Sequence, residues 1–309
     1  MAALPDSTYP SLRQSLILLL LLIGLTIVLS VMNAVADVAL GTRLAFDPFH
    51  LGLINLIAFL TIVSYGVRRT GQSARAVLAL RPVRAILFLP LIPACIGLNF
   101  LLSEADNVLR SVLPMPSGFA ETYLHVVGPH VPAWKLLFTL SFVAPLTEEF
   151  LFRGLLMHGY LQRYTARRAI VISALLFGVV HLNPWQFASA TVLGLLVGWC
   201  RVRTGSLWLC LFVHALNNSI VSLIQVIPGL EIPGYTVGSI HESQFQPLWF
   251  NALGVGLTAA GLGSLAWLFR QLSPVAAARP VPMAAPAVIA TMATPVDADS
   301  VVAGQSEQS

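Results

Sequence analysis

The chain has 309 residues, 57% hydrophobic and only 10% charged, with a mean hydropathy of +0.81. A soluble domain carries about 25% charged residues, so this composition excludes an ordinary soluble enzyme and points to a membrane protein. The net charge of +4 comes from basic residues in short loops between apolar stretches, which argues for membrane orientation and against nucleic acid as a partner.

After a polar lead over 1–14, the first apolar run begins near Ser15. It is too long for a signal-peptide core, so it is expected to remain as the first span. Apolar stretches follow at 51–67, 84–103, 134–158, 169–184, 187–200, 206–226 and 247–269, most of them near the ~20 residues that a bilayer crossing needs. With the first, 15–35, they predict an all-α, polytopic transmembrane helical bundle of about eight spans over residues 1–272. Between the fifth and sixth, Asn183-Pro184 permits only a tight connection. Residues 72–83 carry Arg75 and Arg81 among apolar residues and predict a short helix lying at the membrane surface. The Pro/Gly-rich stretch 104–133 is expected to cap one face of the bundle. From Ser273 the chain is rich in Ala, Pro and Val and is expected to be a disordered cytoplasmic tail, 273–309. Cys95, Cys200 and Cys210 lie in or beside apolar stretches without metal-site spacing, so no disulfide framework is expected.

Loop charges alternate. Segments 68–84, 163–168 and 201–203 hold ten arginines, and Arg270 and Arg279 follow the last span. The alternate connections hold only Arg43, Arg110 and Lys135, beside most of the acidic residues. The positive-inside rule then places both termini in the cytoplasm with eight crossings.

Within the fourth stretch stands Thr147-Glu148-Glu149-Phe150-Leu151-Phe152-Arg153-Gly154. Ionisable groups in so apolar a run are costly and mark function by default. On a helix Glu149 and Arg153 are one turn apart and can pair, while Glu148 points about 100° away. The fifth stretch carries Phe177 and His181, and the seventh His214, Asn217 and Asn218. Taken singly, each has an ordinary structural explanation: a buried ion pair, a packing histidine, a helix–helix hydrogen bond. At 1.5 Å rise per residue, Glu148 lies about 22 Å from Arg163, His181 about 20 Å from Arg168, and His214 and Asn218 about 16 and 22 Å from Arg203. Straight helices would therefore bring all four to one depth. Together they suit water-dependent bond cleavage: a desolvated carboxylate to take a proton from water, an imidazole to orient it, and a second imidazole and an amide to meet an oxyanion. Glu148, His181 and His214 would equally make a three-ligand zinc site.

Glu-Glu-x-x-x-Arg at 148–153, Phe-x-x-x-His at 177–181 and His-x-x-x-Asn at 214–218 resemble, in order, the three motifs of the CPBP family. That family comprises CaaX-prenyl endoproteases and bacteriocin-processing membrane proteins, also called Abi. The resemblance covers about 134–226, spans four to seven. It implies a glutamate-dependent intramembrane endopeptidase acting on a membrane-associated peptide or protein, without a cofactor, in the inner membrane of a bacterium. It implies that Glu148 is the general base with His181 assisting, that His214 and Asn218 form the oxyanion site, and that Glu149, Arg153 and Phe177 support the geometry. The alternatives are a zinc-dependent form of the same protease and a non-catalytic immunity or scaffold protein on the same bundle.

Overall fold

A computed structural model describes residues 6, 8–128, 130–224, 227, 229–236 and 244–272. The expected tail, 273–309, lies outside these residues. Ten helices occur among the described residues and no strand: α1 (Leu12–Leu40), α2 (Pro48–Thr70), α3 (Ala74–Val77), α4 (Leu91–Val112, entered through a 3-10 turn at Ala85–Phe88), α5 (Ser117–Val127), α6 (133–163), α7 (Ala166–Val179), α8 (Pro184–Thr204), α9 (Trp208–Ile224) and α10 (Leu248–Gln271). The all-α transmembrane architecture expected from the sequence is borne out. Four helical segments, Leu12–Leu40, Pro48–Thr70, Ala85–Val112 and Leu248–Gln271, are long and apolar enough to cross a bilayer, and α9 is a shorter apolar helix. Every one of the eight apolar stretches contains a helix.

Local chemistry sets the helix ends. Ser11 and Gln14 form a capping box that opens α1, satisfying backbone N–H groups that have no partner within the helix. Asp47 caps α2 and Asn183 caps α8, each followed by proline at the first helical position, where its missing N–H costs nothing. Gly205 closes α8 at φ 64°, a conformation costly for residues with a Cβ.

Helix α6 is continuous but not uniform. It contains two wide π-helical turns, Leu137–Val143 and Phe150–Leu156. The first precedes Pro145, which has no N–H to donate and whose ring crowds the preceding turn.

Two apolar clusters hold the bundle. One joins α1, α2, the lower part of α6 and α7; the other joins α4, α8, α9 and α10. Leu80 and Phe150 pack against both. Large side chains on the outer face of α1, including Leu20, Val35 and Val38, are exposed, as suits a helix surrounded by lipid.

Hydrogen bonds and ion pairs tie the two ends of the bundle separately. At the arginine-rich end, Arg163 donates to the hydroxyl of Thr8, Arg203 to the carbonyl of Phe269 and Ser206 to the carbonyl of Arg81. At the opposite end Lys135 pairs with Asp47, Trp185 donates to the carbonyl of Leu113 at 2.9 Å, and Asn107 donates to the carbonyl of Gly234 at 2.8 Å.

The segment 72–83 differs from its expectation. Only Ala74–Val77 is helical, and Val77, Leu78 and Ala79 are buried. The Ala79 carbonyl accepts from the N–H of Leu207, so this segment is a strap packed into the bundle, not a helix floating at the surface. Its apolar residues have a larger buried surface to gain inside the bundle than at a lipid headgroup.

Candidate active site

Helices α6, α7 and α9 bring the singled-out residues together. Glu149 and Arg153 are both fully buried, with Arg153 Nη1 2.9 Å from Glu149 Oε1. A buried charge needs such a partner. The guanidinium also lies over the Phe177 ring, 4.4 Å from its centroid, a cation–π contact. His214 Nδ1 is 2.8 Å from the same Glu149 oxygen, while its Nε2 faces Glu148 Oε2 at 3.7 Å. A carboxylate only accepts, so Nδ1 of His214 carries hydrogen and Nε2 presents its lone pair when the ring is neutral. His214 thus bonds to Glu149 through Nδ1 and turns Nε2 toward Glu148.

His181 lies just beyond α7, which ends at Val179 and not at the predicted 184. Leu182, at φ 51°, turns the chain there toward the Asn183 cap. The ring is fixed by the Phe177 carbonyl, 2.8 Å from Nδ1. A carbonyl also only accepts, so this contact sets the tautomer and leaves Nε2 as the acceptor. Phe177 packs edge-on against both imidazoles, with centroids 5.0 Å from His181 and 5.5 Å from His214.

Asn218 Nδ2 donates to the carbonyl of Leu140 at 2.7 Å, inside the first wide turn of α6. An amide nitrogen has two hydrogens, and this bond uses one. Asn217 donates to Asn218 Oδ1 at 3.2 Å, which fixes which side of the amide faces Leu140.

A cavity of about 500 Å³ lies beside these groups, a size typical of ligand pockets. Glu148, His181, His214, Asn217 and Asn218 line it; Glu149 and Arg153 do not. Asn55, Asn99, Ser103, Asp106 and Tyr123 add polar lining. The 104–133 stretch contributes Asp106, Arg110, Met115, Tyr123 and Val127 as part of the cavity wall. Among the described residues no group of three His, Cys, Asp or Glu side chains is gathered to hold a metal ion.

Residues 130–220 match the family described as "Type II CAAX prenyl endopeptidase Rce1-like". Among curated proteins, the chain is 27% identical over 93 residues, 30% of this chain and 38% of the relative, to "Putative membrane peptidase YdiL" of Bacillus subtilis (strain 168). It is 35% identical over 83 residues, 25% of this chain and 38% of the relative, to "Uncharacterized 24.3 kDa protein" of Escherichia coli. These matches therefore span well under half the length of either relative. No solved structure matches. The Rce1-like segment holds Glu148, Glu149, Arg153, Phe177, His181, His214 and Asn218, and coincides closely with the 134–226 core read from the motifs.

The sequence reading missed the support around this segment. Arg201, assigned there to a loop, sits within α8, is buried, and donates from Nε to the Arg153 carbonyl at 3.1 Å. Gly194 faces the Arg153 guanidinium: a Cβ there would stand 3.0 Å from Nη2 and 3.0 Å from Ala174. The spacing Gly194-x-x-x-Gly198 was a legible signal of this close α7–α8 approach.

Proposed function

We propose that the chain is an intramembrane endopeptidase that cleaves a membrane-associated peptide or protein by glutamate-activated water. The observation that carries this reading is the divergence of two adjacent carboxylates: Glu148 opens on the cavity beside His214, whereas Glu149 is sealed against Arg153. The Rce1-like match supports the reaction class.

Glu148 takes a proton from a water in the cavity as the water oxygen bonds to the substrate carbonyl carbon. The lone pair of His181 Nε2 accepts the second hydrogen of that water and aims it. The second N–H of Asn218 Nδ2 meets the developing oxyanion. Glu149 holds the His214 ring through Nδ1 so that its Nε2 faces Glu148; with hydrogen on Nε2 it joins Asn218 at the oxyanion. The proton held by Glu148 then passes to the leaving amine as the C–N bond breaks. Arg153 and Phe177 hold Glu149 and the two rings in place. No step here uses a metal or cofactor.

Cleavage of a membrane peptide by purified wild type and Glu148→Gln, with and without chelator, tests the reading. Chelator-insensitive cleavage that Glu148→Gln abolishes is expected. Loss of cleavage on chelation would support the zinc form, and full function of Glu148→Gln in cells would support the scaffold.

A further inference from the structure

The cavity occupies one half of the bundle. On α6 its lining runs from Thr139 to Glu148, on α4 from Asn99 to Arg110, and on α8 from Gln186 to Leu193. Each range extends from mid-helix toward the end where Lys135 meets Asp47 and Trp185 meets Leu113. Toward the other end the same helix closes: Leu151, Phe152, Arg153, Leu155, Leu156 and Met157 are all 0% exposed. No group on the arginine-rich segments 68–84, 163–168 or 201–206 lines the cavity.

The two ends differ sharply in charge. Segments 68–84 and 163–168 with Arg203 carry nine arginines besides the buried Arg201, against Arg43, Arg110 and Lys135 at the cavity end. Short connections rich in Lys and Arg remain in the cytoplasm. From these two observations together we infer that the cavity is reached from the extracytoplasmic side. Its substrate is then an extended segment of an exported or membrane-anchored polypeptide presented outside the cytoplasm. The substrate class rests on the hydrolase reading above; the side of access does not.

The outer wall suits such a segment. Asp106 and Arg110 pair at 2.7 Å along the α4 wall with about a quarter of each side chain exposed. Together with Asn55, Asn99 and Tyr235, they offer donors and acceptors to a main chain that must shed water to enter.

Side-specific cysteine labelling of the full chain tests access. Cys95, Cys200 and Cys210 are buried, so wild type serves as the blank. Ser103→Cys and Asn55→Cys place a thiol in the cavity wall; exposed Thr122→Cys and Ala166→Cys mark the two ends. A membrane-impermeant maleimide should label Ser103→Cys, Asn55→Cys and Thr122→Cys in right-side-out vesicles, and Ala166→Cys only in inside-out vesicles. Cavity thiols that react only from the side of Ala166→Cys, or from neither side, would overturn the inference. So would the two end markers reacting from the opposite sides to those stated. Labelling consumes no substrate, so its result is independent of whether the chain hydrolyses anything. In cells, peptides present with wild type and absent with Glu148→Gln should come from extracytoplasmic segments, and a cytoplasmic origin would overturn the substrate class.

Discussion

Helix α6 crosses two regions of opposite character. From Leu151 to Met157 its residues are sealed, and each charge buried there has at least one partner: Arg153 has Glu149 and the Phe177 face, and Arg201 has the Arg153 carbonyl. Glu149 Oε2 and Arg153 Nε and Nη2 make no hydrogen bond among the described residues. Above Glu149 the helix lines a cavity, and the polar groups there keep unused capacity, as at Nε2 of His181 and the second N–H of Asn218. Each half contains a wide turn, filled below by Arg201 and above by Asn218. Wide turns of this kind expose backbone carbonyls and recur at functional sites. The comparison teaches that adjacent residues in one helix divide into cavity-facing and sealed groups according to what lies opposite them.

The sharpest way to break this division is Glu148→Gln. It should cut hydrolysis by on the order of 10²–10⁴-fold, the range for losing a general base, while the melting curve in detergent stays near wild type. A fully active variant would end the assignment. On the sealed side, Glu149→Gln should strand Arg153 and cost about 3–5 kcal/mol of stability, visible as a lowered melting temperature or lost expression. A stable but inactive Glu149→Gln would mean that the two carboxylates have exchanged roles.

Glycine and asparagine substitutions sharpen the same contrast at smaller scale. A Cβ on Gly159, in the sealed half, would clash with the Pro10 carbonyl oxygen, so Gly159→Ala should destabilise by about 1–3 kcal/mol through overpacking. Asn55→Ala removes a group that faces open space and should change stability by about 0.5 kcal/mol or less. Equal melting shifts for the two variants would deny that the halves differ in packing.

The smallest effect concerns the cavity end. Burial works to raise the Asp47 carboxyl, but Lys135, His50 and a backbone N–H outweigh it and hold the value at about 2. An unfolded aspartate titrates near 3.9. The folded value is the lower one, so this contribution is present above pH ~4 and fades as pH falls toward ~2. Asp47→Asn keeps a good helix cap, and the melting difference between it and wild type should shrink between pH 5 and 3. A constant difference would show that the charge is not what ties α2 to α6.

Much of the helical plan was legible because apolar length is a local property: all eight apolar stretches contain helix. The Glu149–Arg153 pair was legible for the same reason, since a four-residue spacing along a helix suffices to bring the two side chains together. The strap at 72–83 was not, because an apolar segment with flanking arginines fits a membrane surface and a bundle interior equally well. Arg201 was also hidden: arginine at the end of an apolar stretch normally marks a loop, and its partner here, the Arg153 carbonyl, is 48 residues away in sequence.

By itself, then, the sequence determined that this is a helical membrane protein, which helices carry the polar motifs, and that Glu149 has a cation one turn away. The tertiary structure decided which glutamate meets the cavity, that His214 bonds to Glu149 while its Nε2 faces Glu148, and that His181 sits in a turn just past its helix. The reason is physical. Helical spacing fixes side-chain directions only relative to their own helix, and a wide turn resets even that phase. Which direction meets a cavity and which a sealed wall depends on the neighbouring helices, on small residues such as Gly194 that let them close in, and on distant carbonyls such as Leu140 that claim a donor from across the bundle.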